Sequence, residues 1–166
     1  MSFQRFDDDE FFTSYADAAI LIESGGKADA RAPTSSATGA AQFINSTWLG
    51  MVRKHRPDLM EGRDEQEILD MRLDPGLSRE MAIQYARDNG AYLRRRGAAV
   101  DHGALYLAHF LGGGGAARAL SRDPSAPIAE AMSAAQIEAN KTIRFNGKTL
   151  PDWTAGDLHA WASAKM

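Results

Sequence analysis

The chain has 166 residues and a formal net charge of -3, with 44% apolar and 25% charged residues. That length and balance describe a globular protein that folds on its own core, and without a basic surplus it is not built mainly to grip a phosphate backbone, so no nucleic acid partner is expected. Cysteine is absent, which removes disulfide frameworks, thiolate nucleophiles and thiolate metal sites and leaves the redox compartment open.

The opening residues, Met1 to Glu10, are acidic and carry neither the basic start nor the apolar run of a signal peptide. A role outside the membrane would therefore call for a longer exported parent chain, phage delivery or a dedicated secretion route. No run of about 18 apolar residues occurs, so membrane insertion is not expected. From Asp9 to Glu23 apolar residues recur at Phe11, Phe12, Tyr15, Ala16, Ala19 and Ile22, the spacing of a helix with one buried stripe. Gly25 and Gly26 stop it, which leaves Glu23 in the last turn, where the helix dipole disfavours a carboxylate.

Residues 25–38, rich in Gly, Pro, Ser and Thr, predict a surface loop. A short helical segment is expected around Ala40 to Ile44, then a helix capped by Ser46 that runs through Trp48, Leu49 and Val52 and ends before Pro57. Asp64 with Glu67 forms a capping-box pattern ahead of Ile68, Leu69 and Met71. Pro75, following Asp74, opens a longer helix through Leu77, Met81, Tyr85 and Tyr92, with Gly97 past its end. Asp101 caps the apolar helix Leu105 to Leu111, and Gly112 to Gly115 break it before Ala116 to Leu120 resume.

Ser133 and Gln136 make another capping box. Thr142 to Phe145 and Lys148 to Leu150 flank Asn146-Gly147, the pair suited to a type I′ hairpin turn. Thr154 and Asp157 cap a last helix containing Leu158 and Trp161. Neither a repeat nor an interdomain linker is evident, so the expectation is one domain over residues 1–166 acting as a monomer.

The candidate chemistry lies in Ile22-Glu23-Ser24-Gly25-Gly26, in Thr38-Gly39-Ala40-Ala41-Gln42-Phe43-Ile44, and in Ala108-His109-Phe110-Leu111-Gly112. These three segments, in this order and spacing, resemble the signature of soluble lytic transglycosylases and goose-type lysozymes over about residues 10–120, with 121–166 as a variable tail. The resemblance implies a mainly α, lysozyme-like α+β domain with a small hairpin near the C-terminus. It implies a cell-envelope enzyme cleaving the β-1,4 bond between N-acetylmuramic acid and N-acetylglucosamine in peptidoglycan glycan strands, with no cofactor and no metal.

By that resemblance Glu23 is the general acid. Apolar surroundings at a roofed helix end favour its protonated form, which suits proton donation near neutrality. Ser24 orients the reacting sugars, Gln42 hydrogen-bonds substrate at the opposite wall, and Phe43 is a further substrate-binding residue. The third segment departs from the family's usual Ala-Tyr-Asn-Ala-Gly: His109 and Phe110 replace the tyrosine and asparagine, so Tyr106, one turn earlier, is the alternative source of a phenol beside the acid, with His109 and Tyr106 both expected to line the site. Gly112 marks a helix break at the rim of the glycan groove.

Most glycosidases use two carboxylates about 5 to 9 Å apart, whereas the resembled lytic enzymes use one, with the substrate's own acetamido and 6-hydroxyl groups replacing the second. Asp29 is the candidate second carboxylate for plain hydrolysis. A glycan-binding or assembly module that has lost turnover is the rival of another class.

Other features favour ordinary structural roles. His55, His102, His109 and His159 lack metal-ligand spacing. The glycine run has no following Gly-Lys-Ser/Thr and so is not a phosphate loop. Arg53 to Arg56 and Arg94 to Arg96 read first as cationic helix ends and second as contacts for anionic envelope polymers or peptide carboxylates. Trp48, Tyr85 and Tyr92 are expected core, and Trp153 and Trp161 expected packing residues.

Overall fold

A computed structural model describes residues 3–166, with side chains from residue 8 onward. Met1 and Ser2 of the acidic opening lie outside the described residues. The protein is mainly helical, with one two-stranded antiparallel hairpin near the C-terminus. It divides into two compact units, 1–88 and 89–166.

In the first unit, α1 (Phe3–Ser24) buries Phe12, Tyr15 and Ala16, the face that its three-and-four spacing predicts. Its outer side carries Asp17, which pairs with Arg79 at 2.7 Å, and Asp9, which pairs with Arg87. These exposed ion pairs set register more than stability, being worth about 1 kcal/mol or less each. α2 (Asn45–His55) ends before Pro57 as expected, but Ser46 does not cap it: Ile44 holds the N-cap position, with no side-chain cap. Asp64 and Glu67 form their capping box at α3 (Glu65–Asp70), and α4 (Pro75–Arg95) opens on Pro75, where Asp74 accepts from the Leu77 N–H at 2.7 Å.

The core of this unit gathers Ala41, Phe43, Trp48, Met51, Val52, Ile68, Leu69 and Met81. Trp48 is fully buried, and its indole N–H donates to the Ile68 carbonyl at 2.7 Å. A ring of that size without this bond would carry a buried unpaired donor, a cost of about 1–3 kcal/mol.

In the second unit, Asp101 caps α5 (His102–Leu120) by accepting from the Ala104 N–H at 2.7 Å. Only Gly112 breaks the helix, with φ 76° and ψ 160°; the glycines after it stay helical, which narrows the expected four-residue break to one. The hydrogen-bonding advantage of a helix persists through glycine where packing holds it, and only Gly112 adopts a backbone that other residues avoid. After α6 (Ile128–Ala131), capping boxes start α7 (Ala134–Asn140) at Ser133 and α8 (Ala155–Lys165) at Thr154.

Between those two helices, β1 (Arg144–Phe145) and β2 (Lys148–Thr149) pair Arg144 with Thr149 and Phe145 with Lys148. Asn146 at φ 47° and Gly147 at φ 78° supply the two left-handed residues that the type I′ turn needs. α8 packs on α5 so closely that a Cβ on Gly103 would lie 2.1 Å from Ser163 Oγ. Trp153 and Trp161 are buried, 5.7 Å apart by ring centroid, as packing residues. Residues 121–166 thus share a core with α5. Among the described residues no helix is long and apolar enough to cross a membrane.

Candidate active site

Glu23 stands on the last turn of α1, half-buried. The helix stops there because Gly25 and Gly26 take φ values of 64° and 80°, a left-handed exit that a side chain would strain. The Gly25 N–H still bonds back to the Leu21 carbonyl at 3.0 Å, so the turn bearing Glu23 is closed and not frayed.

Ser24 ties this helix end to the opposing turn. Its hydroxyl lies 2.7 Å from the Ala40 carbonyl and 3.2 Å from that of Ile20, and it accepts from the Gly26 N–H at 3.1 Å. One hydroxyl hydrogen serves one acceptor well, and the shorter contact crosses to residue 40. Ser24 therefore acts on the loop backbone.

The expected short helix at Ala40 to Ile44 is instead a tight turn. Thr38 and Phe43 form an isolated antiparallel bridge, with the Thr38 N–H donating to the Phe43 carbonyl at 3.2 Å. Gly39 at φ 83° and Gln42 at φ 52° reverse the chain between them. Two left-handed residues in so short a span are incompatible with an α-helical run. The Gln42 side chain reinforces the reversal, its Nε2 donating to the Gly39 carbonyl at 2.8 Å and to the Ala30 carbonyl at 3.1 Å. The Ala30 carbonyl also accepts the Gly39 N–H at 2.8 Å, so residue 30 and the turn are held at one junction. Asp29, next in the chain, is exposed. Phe43 is buried against Trp48 and Tyr85, with ring centroids 5.5 and 5.8 Å away; it anchors the turn from beneath.

Two residues that the motifs do not mark complete this wall. Arg72 is only 5% exposed, and its guanidinium donates to the carbonyls of Leu69, Ser36 and Phe43 and to Asn45 Oδ1, at 2.8 to 3.0 Å. Burial, with Arg31 nearby, pushes its pKa below the ordinary value. Carbonyl dipoles take the place of water around this charge. Ser78, fully buried, accepts the Ala41 N–H at 3.2 Å. The only sequence trace of Arg72 is a charged residue between Met71 and Leu73, a pattern too common to single out.

Tyr106, His109 and Gly112 lie along α5 in the second unit. Tyr106 is buried, its ring centroid 5.7 Å from that of Trp161 and 6.1 Å from that of His109. Phe110 packs on Trp161 at 5.1 Å. His109 is half-buried and Gly112 exposed at the kink. The structure thus gathers Glu23, Ser24, Gln42 and Phe43 at one helix-and-turn junction in the first unit and places the other three in the second. No group of three or more His, Asp or Glu is arranged to hold a metal ion among the described residues.

No family model matches the chain.

Proposed function

We propose that this protein is a lysozyme-like lytic transglycosylase of the cell envelope, cleaving the bond between N-acetylmuramic acid and N-acetylglucosamine in peptidoglycan with Glu23 as its one catalytic carboxyl. The observation that carries the reading is the half-buried Glu23 at a glycine-terminated helix end, tied through the Ser24 hydroxyl to the turn that Gln42 and Arg72 hold rigid. An acid fixed on a closed helical turn beside a braced loop is preorganised for a bound glycosidic oxygen.

Glu23 donates its proton to the bridging oxygen, and the bond from that oxygen to the muramic C1 breaks. The developing positive charge at C1 is met first by the substrate's acetamido oxygen. The muramic 6-hydroxyl then attacks C1 as the Glu23 carboxylate takes its proton, giving a 1,6-anhydro end and restoring the acid without consuming water. Ser24 and Gln42 serve as positioning residues through the loop.

Hydrolysis by a muramidase route is the second reading, favoured by one observation: Asp29 adjoins Ala30, the residue that Gln42 and Gly39 clamp to the turn. In that case Asp29 activates a water and the product has a reducing end.

Glu23→Gln keeps the side chain's size and removes its titratable proton. Muropeptide release from purified sacculi should fall by about a hundredfold or more, the usual weight of a positioned general acid. Undiminished release would remove Glu23 from the chemistry. Mass spectrometry of the wild-type products separates the routes: anhydro ends support the transglycosylase, whereas reducing ends whose yield collapses in Asp29→Asn support the hydrolase.

A further inference from the structure

The second unit contains a cavity of about 400 Å³, lined by Tyr92, Arg96, Gly114, Gly115, Ala117, Arg118 and Ser121. Tyr92 is therefore not the core residue its helical spacing predicts. Its ring is half-buried, with the Arg96 guanidinium carbon 5.1 Å from the centroid. The glycines make the space. A Cβ on Gly113 would already press on Tyr92 Cδ1 at 3.1 Å, so the helix runs close to the ring there, and at the next residue, Gly114, a Cβ would meet only the Tyr92 hydroxyl at 3.8 Å, which leaves that side of the cavity open.

The lining is cationic without compensation. It includes Arg96 and Arg118 and no carboxylate, and neither guanidinium forms an ion pair among the described residues. Two of the last carbonyls of α5 are already hydrogen-bonded. Those of Ala117 and Arg118 accept the Ser121 N–H at 3.1 and 3.3 Å, and that of Arg118 also accepts the Ser121 hydroxyl at 2.8 Å. Arg96 is further oriented by its stacking on Tyr92, which lowers the entropy lost when a planar fork meets an oxyanion.

We infer that this cavity is a binding site for a small organic oxyanion, a carboxylate or a phosphate held between the Arg96 and Arg118 guanidiniums with the Tyr92 hydroxyl at its side. The volume lies within the range of small-ligand sites, and paired guanidiniums suit the two-oxygen face of either group. The site is independent of Glu23 and of the glycosidase reading.

The test is titration of the full chain, followed by backbone and arginine side-chain NMR, in separate arms with inorganic phosphate, with an N-acetylated dipeptide carrying a free terminal carboxylate, and with sodium chloride at equal ionic strength. Saturable shifts centred on Gly114, Gly115 and the Arg96 and Arg118 Nε–H signals are expected in at least one oxyanion arm and absent with chloride. The tighter arm identifies the group. Arg118→Gln, an exposed substitution, should weaken that affinity about tenfold, as should Arg96→Gln. No saturable shift in either arm, equal shifts with chloride, or shifts unchanged in the Arg96→Gln, Arg118→Gln double variant would overturn the inference.

Discussion

Arg72 shows how much one side chain can decide about a loop. Its five potential donors lie in a fixed plane, and the structure uses that plane to gather carbonyls from residues 36, 43 and 69 that are far apart in the chain. Arg72→Met would leave these groups without their charged donor, and at about 3 kcal/mol for the lost network the melting temperature should drop by roughly 10 °C in a protein of this size. Arg72→Lys restores charge but not the fork, so differential scanning calorimetry should place it near the methionine variant; a lysine variant melting with the wild type would show that charge alone suffices. Gly39 is a second single-residue constraint. A Cβ there would sit 2.0 Å from the Arg72 carbonyl oxygen at φ 83°, whereas one on Gly25 would meet nothing within 4 Å at φ 64°. Gly25→Ala should cost only the left-handed strain of about 1–2 kcal/mol, and Gly39→Ala distinctly more, because backbone must move. Equal denaturation midpoints for the two would contradict the close approach. The motif signalled Gly39 and Gln42 as residue types, but their partners at 30 and 72 have no local trace, so a wall-forming role was not legible from them.

The three capping boxes were read correctly, because each is a local contract between neighbouring residues, whereas the lone Ser46 cap was not, Ile44 holding that position. Asp64 with Glu67, Ser133 with Gln136 and Thr154 with Asp157 each satisfy two orphan N–H groups within one turn. The segment at Ala40 to Ile44 failed for the opposite reason: its Thr38 to Phe43 bridge and its bond from Ala41 to Ser78 come from tertiary context that overrides local propensity. The glycine run of α5 combines the two cases. Composition announces a weak helix but cannot say which glycine yields, and the answer, Gly112 alone, gives opposite signs for two similar substitutions. Gly112→Ala forces a side chain into a backbone region that is nearly glycine's own, at a cost of about 1–3 kcal/mol. Gly114→Ala, in a helical turn where the new methyl meets only the Tyr92 hydroxyl at 3.8 Å, should stabilise by about 0.5–1 kcal/mol. Urea unfolding of the two variants reads the signs directly, and a stabilised Gly112→Ala would place the kink elsewhere.

For the molecule as a whole, helical periodicity and a single Asn-Gly hairpin were enough to predict a mainly α chain, since both signals are short-range and repeated. The division into units 1–88 and 89–166 was not legible: it falls within α4, where the residues carry no linker composition and only the pattern of tertiary packing changes. Charge behaves as a property of both units. Burial works to raise the Asp88 carboxyl, yet the hydrogen bonds from Lys54 and His55 outweigh it and hold the group below the usual carboxylate range. Asp101 is held low in the same way, burial being outweighed by the Ala104 N–H and by His159 at 3.1 Å. For Asp17 the bond from Arg79 is itself the largest influence and lowers it. Each carboxyl has a folded pKa beneath its unfolded value near 3.8, so the stability it contributes is complete above that value and is lost as pH falls through the folded one. The melting temperature should accordingly be nearly level with respect to these groups from about pH 7 to 5 and decline steeply below about pH 4. Asp88→Asn and Asp101→Asn should each melt lower than wild type at pH 6, and the gap should narrow as pH falls below the unfolded value near 3.8 and through the lower folded values. Melting curves that run parallel to wild type across that whole interval would show that neither group titrates differently in the folded and unfolded chains.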